Sequence, residues 1–131
     1  MIDGGGWQNI AKAGLCAGHL PNFAKAFPLA ELLTGLEILI YRSPYEPSDL
    51  YYWHREAKNS SAEVDYVIQQ GKRIMPIEVK SGTSGKMQSM FLFMKEKKLD
   101  QGIRISAENF SRISNIDIYP LYAVANLMHA W

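Results

Sequence analysis

The sequence predicts an α/β (α+β) domain in which helices flank a sheet that contains an antiparallel three-strand meander. Leucines and isoleucines recur at helical spacing between Pro28 and Pro44, two-residue alternation interrupted by two turn signals fills residues 49 to 80, and a second helical stripe follows. With 131 residues the chain has room for one ordinary core and too little for two. Hydrophobic residues at 47% and charged residues at 21% exclude wholesale disorder.

Residues 7 to 27 read as short helical pieces broken at Pro21 and Pro28, behind a flexible Met1-Ile2-Asp3-Gly4-Gly5-Gly6 opening, so 1–27 is taken as an N-terminal helical or irregular segment and 28–131 as the domain. Leu29, Leu32, Leu33, Leu36, Leu39 and Ile40 predict a core-packed helix, with Pro28 in its first turn and Pro44 closing it. Asp49 to Arg55 is an aromatic strand, Ala57 to Ser61 is turn chemistry, and Glu63 to Gln69 alternates again. Gln70-Gly71-Lys72 makes a second turn, and Arg73 to Lys80 a third strand that ends at Ser81-Gly82-Thr83-Ser84-Gly85. Met87, Met90, Phe91 and Met94 then form the apolar stripe of a helix from Lys86 to Lys98, whose Lys95, Lys97 and Lys98 suit the negative end of its dipole. Gly102 to Ser106 and Ile116 to Tyr119 are short strands, and Pro120 opens a final apolar helix.

Composition also bounds function. Fourteen Lys and Arg stand against 13 Asp and Glu, a formal net charge of +1, so no global field draws the chain to nucleic acid or an anionic membrane. Any such contact is local, and the second half is the basic one: residues 1–71 hold 5 basic and 8 acidic residues, residues 72–131 hold 9 and 5. The lone Cys16 forms no internal disulfide and reads as a small buried hydrophobe, which with the lack of a membrane span or leader suggests a cytoplasmic protein. His19, His54 and His129 are scattered and read as structural; Tyr51, Tyr52 and Trp53 read as core, with base stacking as the alternative.

The chemistry concentrates in Glu63-Val-Asp65 and Glu78-Val-Lys80. Alternation puts each pair on one face of its strand. A loop at 70–73 sets Asp65 opposite Glu78 and Glu63 opposite Lys80, with Cβ atoms about 4.5–5.5 Å apart. A register that set Asp65 opposite Ile77 or Val79 would dissolve the site. Two facing carboxylates repel unless a pKa rises, a cation intervenes or a divalent metal binds, and oxygen-only donors with room for water suit Mg²⁺ or Mn²⁺. Such a metal acidifies a water and polarises a phosphoryl oxygen, while the lysine stabilises developing charge. The plainer alternative is a cross-strand ion pair of Glu63 with Lys80 on a wet sheet face.

The run AEVDYVIQQGKRIMPIEVKSG resembles the signature of the restriction-endonuclease-like superfamily, the PD-(D/E)xK nucleases. Leu36 through Leu127, with YYWHRE, EVDYVI, PIEVKSG and IYPLYAVANL, is similar to the C-terminal domain DUF4143 found behind an AAA-type ATPase in bacterial and archaeal proteins. The resemblance implies a restriction-endonuclease-like core with a mixed central sheet. It assigns the superfamily's metal-binding aspartate to Asp65, its acid and lysine to Glu78 and Lys80, and a helix carboxylate to Glu31, while Glu63 matches the glutamate before the aspartate. Lys86 or Gln88 is the candidate polar residue of the following helix. By its position relative to the leucines, Glu31 lies opposite the apolar stripe, where a solvated side chain is expected.

The resemblance also implies a missing ATPase partner. Ser81 to Met87 imitates a P-loop but has Lys80 where the first glycine belongs and Met87 where Ser or Thr belongs, so the chain itself is assigned no ATP binding. Two readings follow. One is a nuclease-fold domain with metal-dependent phosphodiester hydrolysis on nucleic acid; the other is a non-catalytic docking or nucleic-acid-binding module that works with an AAA-type ATPase domain or protein.

Overall fold

The computed structural model describes residues 10–12, 29–42, 45, 50–58, 60–80 and 87–129. Its elements in chain order are β1 (Ile10–Lys12), α1 (Leu29–Tyr41), β2 (Tyr51–Ala57), β3 (Ser60–Gln70), β4 (Arg73–Val79), α2 (Gln88–Lys97), β5 (Gly102–Ser106), β6 (Ser111–Ile113), β7 (Ile116–Pro120), a 3₁₀ turn (Leu121–Ala123) and α3 (Val124–His129). They build a mixed seven-stranded sheet in the order β1-β2-β3-β4-β5-β7-β6, flanked by helices. The α+β expectation holds, and the antiparallel meander is β2-β3-β4.

Alternation explains the meander and the layers. Tyr66, Ile68, Met75, Ile77 and Val79 face one way, where Ile103 and Ile105 of β5, Ile38 of α1 and Val124, Leu127 and Met128 of α3 close a core. Trp53, Val64 and Val67 face the other way and meet Met90, Phe93 and Met94 of α2; Trp53, with no exposed surface, tilts against Phe93 at 5.2 Å between ring centres, so its core reading holds. β3 turns into β4 through two residues, with Gly71 at φ +60°, a left-handed conformation that glycine adopts without the clash of a Cβ. β4 then pairs parallel with β5 across the α2 crossover, and Gly102 lets α2 lie close: a Cβ there would stand 3.0 Å from the Met94 sulfur.

Several expectations are corrected. Ile10–Lys12 is a strand paired with β2 where helical pieces were expected, and β6 was not foreseen at all; both are three-residue edges, too short for a period to show. Pro28, Pro44, Cys16, His19, the triple-glycine opening and 81–86 with Lys86 lie outside the described residues. In α2 the buried stripe is Met90, Phe93 and Met94, and Phe91 is turned out.

The largest correction is α1. Its buried residues are Thr34, Gly35 and Ile38, while Leu29, Leu33, Leu36 and Ile40 are 69%, 50%, 39% and 72% exposed. The small Thr34 and Gly35 allow α1 to pack closely, and Leu29, Leu33, Leu36 and Ile40 are left outward while Leu39 packs against the core. Ile38→Ala should therefore cost about 2–5 kcal/mol of stability, and Leu33→Ala about 1 kcal/mol or less, in urea denaturation. The reverse order would return the leucine stripe to the core.

Candidate functional site

The site forms where β3 and β4 part. Their ladder runs from Gln70↔Arg73 to Tyr66↔Ile77, which is the predicted register, and stops one pair short of Asp65 and Glu78. Beyond it β4 is held by β5: the Lys80 amide donates to the Ile105 carbonyl at 2.8 Å. On the other side the Val79 amide donates to Asp65 Oδ2 at 2.7 Å, so a carboxylate takes the place of a ladder carbonyl. Asp65 is thus not registered with Ile77 or Val79, although its side chain bonds the Val79 backbone. The expected pairing of Glu63 with Lys80 is absent from the ladder; Glu63 is in register with His54 of β2.

A bulge sets which way these groups point. Tyr51 pairs with Val67 but Trp53 pairs with Val64, so β3 carries one extra residue between Val64 and Val67. Val64 and Val67 consequently share the α2 side and Tyr66 turns toward α1, while Asp65 sends its Oδ2 to the Val79 amide of β4. The Tyr66 hydroxyl donates to the Glu31 carbonyl at 2.9 Å and ties the start of α1 over β3. Glu78 alternates with Ile77 and Val79 and leaves β4 on the α2 side, and the expected facing pair of Asp65 and Glu78 becomes a meeting at the gap where the ladder stops. Between them lies a pocket of about 300 Å³, lined by His54, Ser61, Glu63, Asp65, Glu78, Lys80 and Ser89.

Charge in this pocket is crowded. Glu78 is 4% exposed; its Oε1 meets Lys80 Nζ at 3.2 Å, and its buried Oε2 has no hydrogen bond among the described residues. Burial above all, then the Glu78 and Glu63 charges, pushes the Asp65 carboxyl up to about 6 against the pull of the Val79 amide and Lys80. Glu31, on the sheet-facing side of α1, rises to about 7 through burial and then through Asp65 and Glu63, with Lys80 pulling it down. The solvated Glu31 expected opposite the leucines is therefore corrected: once the leucines face outward, Glu31 follows Thr34, Gly35 and Ile38 inward. The Tyr66 phenol is also pushed up, by burial and then by Glu31 and Asp65.

Among the described residues, no three His, Cys, Asp or Glu side chains converge to hold a metal ion alone. Two inner carboxylates, one with an unpartnered buried oxygen, still fit a hard cation such as Mg²⁺ or Mn²⁺, which binds through one or two carboxylates and keeps waters or substrate oxygens. His54, Ser61 and Ser89 were not expected here. His54 Nε2 lies 3.3 Å from Glu56 Oε1 and its Nδ1 3.9 Å from Glu63 Oε2; the strand-opposite position of Glu63 was the only sequence signal for it. Gln88 opens α2 and is exposed. Lys72 and Arg73 stand at the far end of β4, roughly 23 Å from Lys80 along the strand. The α2 lysines end near them, since Arg73 bonds Gln101.

Both raised carboxyls bind protons more tightly in the folded state, so the stability they contribute is complete below about pH 4 and is lost as pH rises through about 6 for Asp65 and 7 for Glu31. Without added divalent metal, melting temperature should decline across that window, and Asp65→Asn and Glu31→Gln should each flatten the decline. Slopes unchanged in both variants would assign the pH dependence elsewhere.

A family model described as "Domain of unknown function (DUF4143)" matches residues 28–124. Neither curated proteins nor solved structures gave a match. No described helix is long and apolar enough to cross a membrane.

Proposed function

This chain belongs to the DUF4143 family, and for it we propose a nuclease-fold domain in which Asp65, Glu78 and Lys80 support metal-dependent hydrolysis of phosphodiester bonds in nucleic acid. One observation carries the reading. Asp65 closes the gap between the parted strands at the point where Glu78 and Lys80 emerge, so two buried carboxylates and an ammonium line one pocket. The resemblance to the restriction-endonuclease-like superfamily supports the same assignment, as does the antiparallel meander followed by a helix and a parallel strand.

Asp65 and Glu78 are the residues that would hold Mg²⁺ or Mn²⁺, with Glu31 and Glu63 as outer carboxylates. The metal, when bound, polarises a phosphoryl oxygen and lowers the pKa of a water. Lys80 is held by Glu78 with its ammonium toward the pocket, where it orients that water and offsets negative charge at the phosphorus. The raised Asp65 and Glu31 carboxyls lose their protons more readily once a cation shares their space. Without it the pocket keeps its excess of negative charge.

Approach of a polyanion is the weak step, because Lys72, Arg73 and the α2 lysines stand at the other end of the sheet. A cationic path supplied by an AAA-type ATPase domain or protein would complete the machine. That distance, together with the outward leucines of α1, also favours the second reading, a docking or nucleic-acid-binding module that serves an ATPase without cleaving.

The test is a labelled DNA and RNA panel with Mn²⁺ at low salt. Slow, salt-sensitive cleavage is expected, reduced at least about 100-fold by Asp65→Asn and by Lys80→Ala. Cleavage surviving in both variants would dismiss the site, and binding without cleavage in the wild type would select the docking module. In parallel, Mn²⁺ should raise the melting temperature, by the equivalent of about 2.7 kcal/mol at a hundredfold excess over Kd, and Asp65→Asn should abolish the rise. Equal shifts in both proteins would reduce it to an ionic-strength effect.

A further inference from the structure

β5 is buried along its whole length between β4 and β7, yet its sequence is Gly-Ile-Arg-Ile-Ser. Ile103 and Ile105 fill the α1 and α3 side, so Arg104 points to the side of α2, where it is 3% exposed. A guanidinium so placed is costly unless carboxylates meet it. One is Glu108, whose Oε2 lies 3.6 Å from Arg104 Nε. Glu108 is itself fixed: the Ser106 hydroxyl donates to its Oε2 at 3.0 Å and accepts its amide at 3.2 Å. A second carboxylate, Glu78, stands in direct register with Arg104 across the parallel β4–β5 pair. Side chains in register on neighbouring strands leave the same face about 4.8 Å apart.

Glu78 is therefore paired at one oxygen and faces a buried cation in register at the other. Lys80 takes Oε1 at the pocket, and the buried Oε2, which accepts no hydrogen bond among the described residues, shares its face of the sheet with the buried guanidinium. We propose that Arg104 is a positioning residue for Glu78: its buried positive charge, ion-paired with Glu108, keeps the Glu78 carboxylate at the pocket beside Asp65. The proposal deepens the nuclease-fold reading and rests on it for what Glu78 then does. Arg104 itself touches neither substrate nor metal.

Two measurements separate the proposal from the reading beneath it. The first is a stability cycle in urea that needs no metal. Arg104→Met and Glu78→Gln should each lower the unfolding midpoint, and the double variant should fall by clearly less than the sum of the two, because the attraction between the two groups is lost in either single variant. Additive losses would overturn the proposal. The second is the rise in melting temperature on adding Mn²⁺. Arg104→Met should lose it, Arg104→Lys should keep more than half by restoring a buried cation, and Glu108→Gln should weaken it. An unchanged rise in Arg104→Met would reduce Arg104 to a structural ion pair and also overturn the proposal. Where Arg104→Met does not fold, Arg104→Lys takes its place in the cycle, with a smaller non-additive loss expected and additivity again decisive. Coupling in the cycle without any Mn²⁺ effect in the wild type would uphold the Arg104–Glu78 pairing and reject the metal reading of the pocket.

Discussion

The bond from the Val79 amide to the Asp65 carboxylate is the constraint on which the pocket depends. At that point β4 exchanges its antiparallel partner for a parallel one, and an amide that would have paired in the ladder is left facing the gap. An unpaired buried amide is expensive. A carboxylate satisfies it, and in doing so Asp65 is desolvated and brought within range of Glu78 and Lys80. The structural demand of closing a split sheet and the chemical demand of a concentrated anionic site are met by the same side chain.

The bulge in β3 and the inverted packing of α1 work together. By adding one residue between Val64 and Val67, the bulge turns Tyr66 toward α1, and the Tyr66 hydroxyl then fixes the first turn of that helix. Glu31 is carried in with it, to where the charges of Asp65 and Glu63 raise its pKa. Several elements supply the pocket. His54 comes from β2, Glu63 and Asp65 from β3, Glu78 from β4 and Ser89 from α2.

Among the described residues, much of the positive charge lies away from this pocket. Lys72 and Arg73 lie at the β3–β4 turn and Lys95, Lys97 and Lys98 toward the end of α2, while Arg112 pairs with Asp117 and buried Arg104 with Glu108.

The sequence by itself determined the meander, its register as far as Tyr66↔Ile77, and the gathering of Asp65, Glu78 and Lys80. Alternation and a two-residue turn with glycine are local rules, and they leave no freedom once one face must be buried. It did not determine which side of α1 packs: Thr34, Gly35 and Ile38 are buried and Leu39 packs on the core, while Leu29, Leu33, Leu36 and Ile40 are not, a choice made by what α3 and the sheet present to the helix. Nor could it show the bulge, the edges β1 and β6, or His54 and Ser89 at the pocket, because these follow from neighbours far away in the chain. The burial of Glu31 and the apposition of Glu78 to Arg104 were decided by tertiary structure for the same reason. A residue's face on an isolated element is set by its period, but what that face meets is set by the strand or helix packed against it.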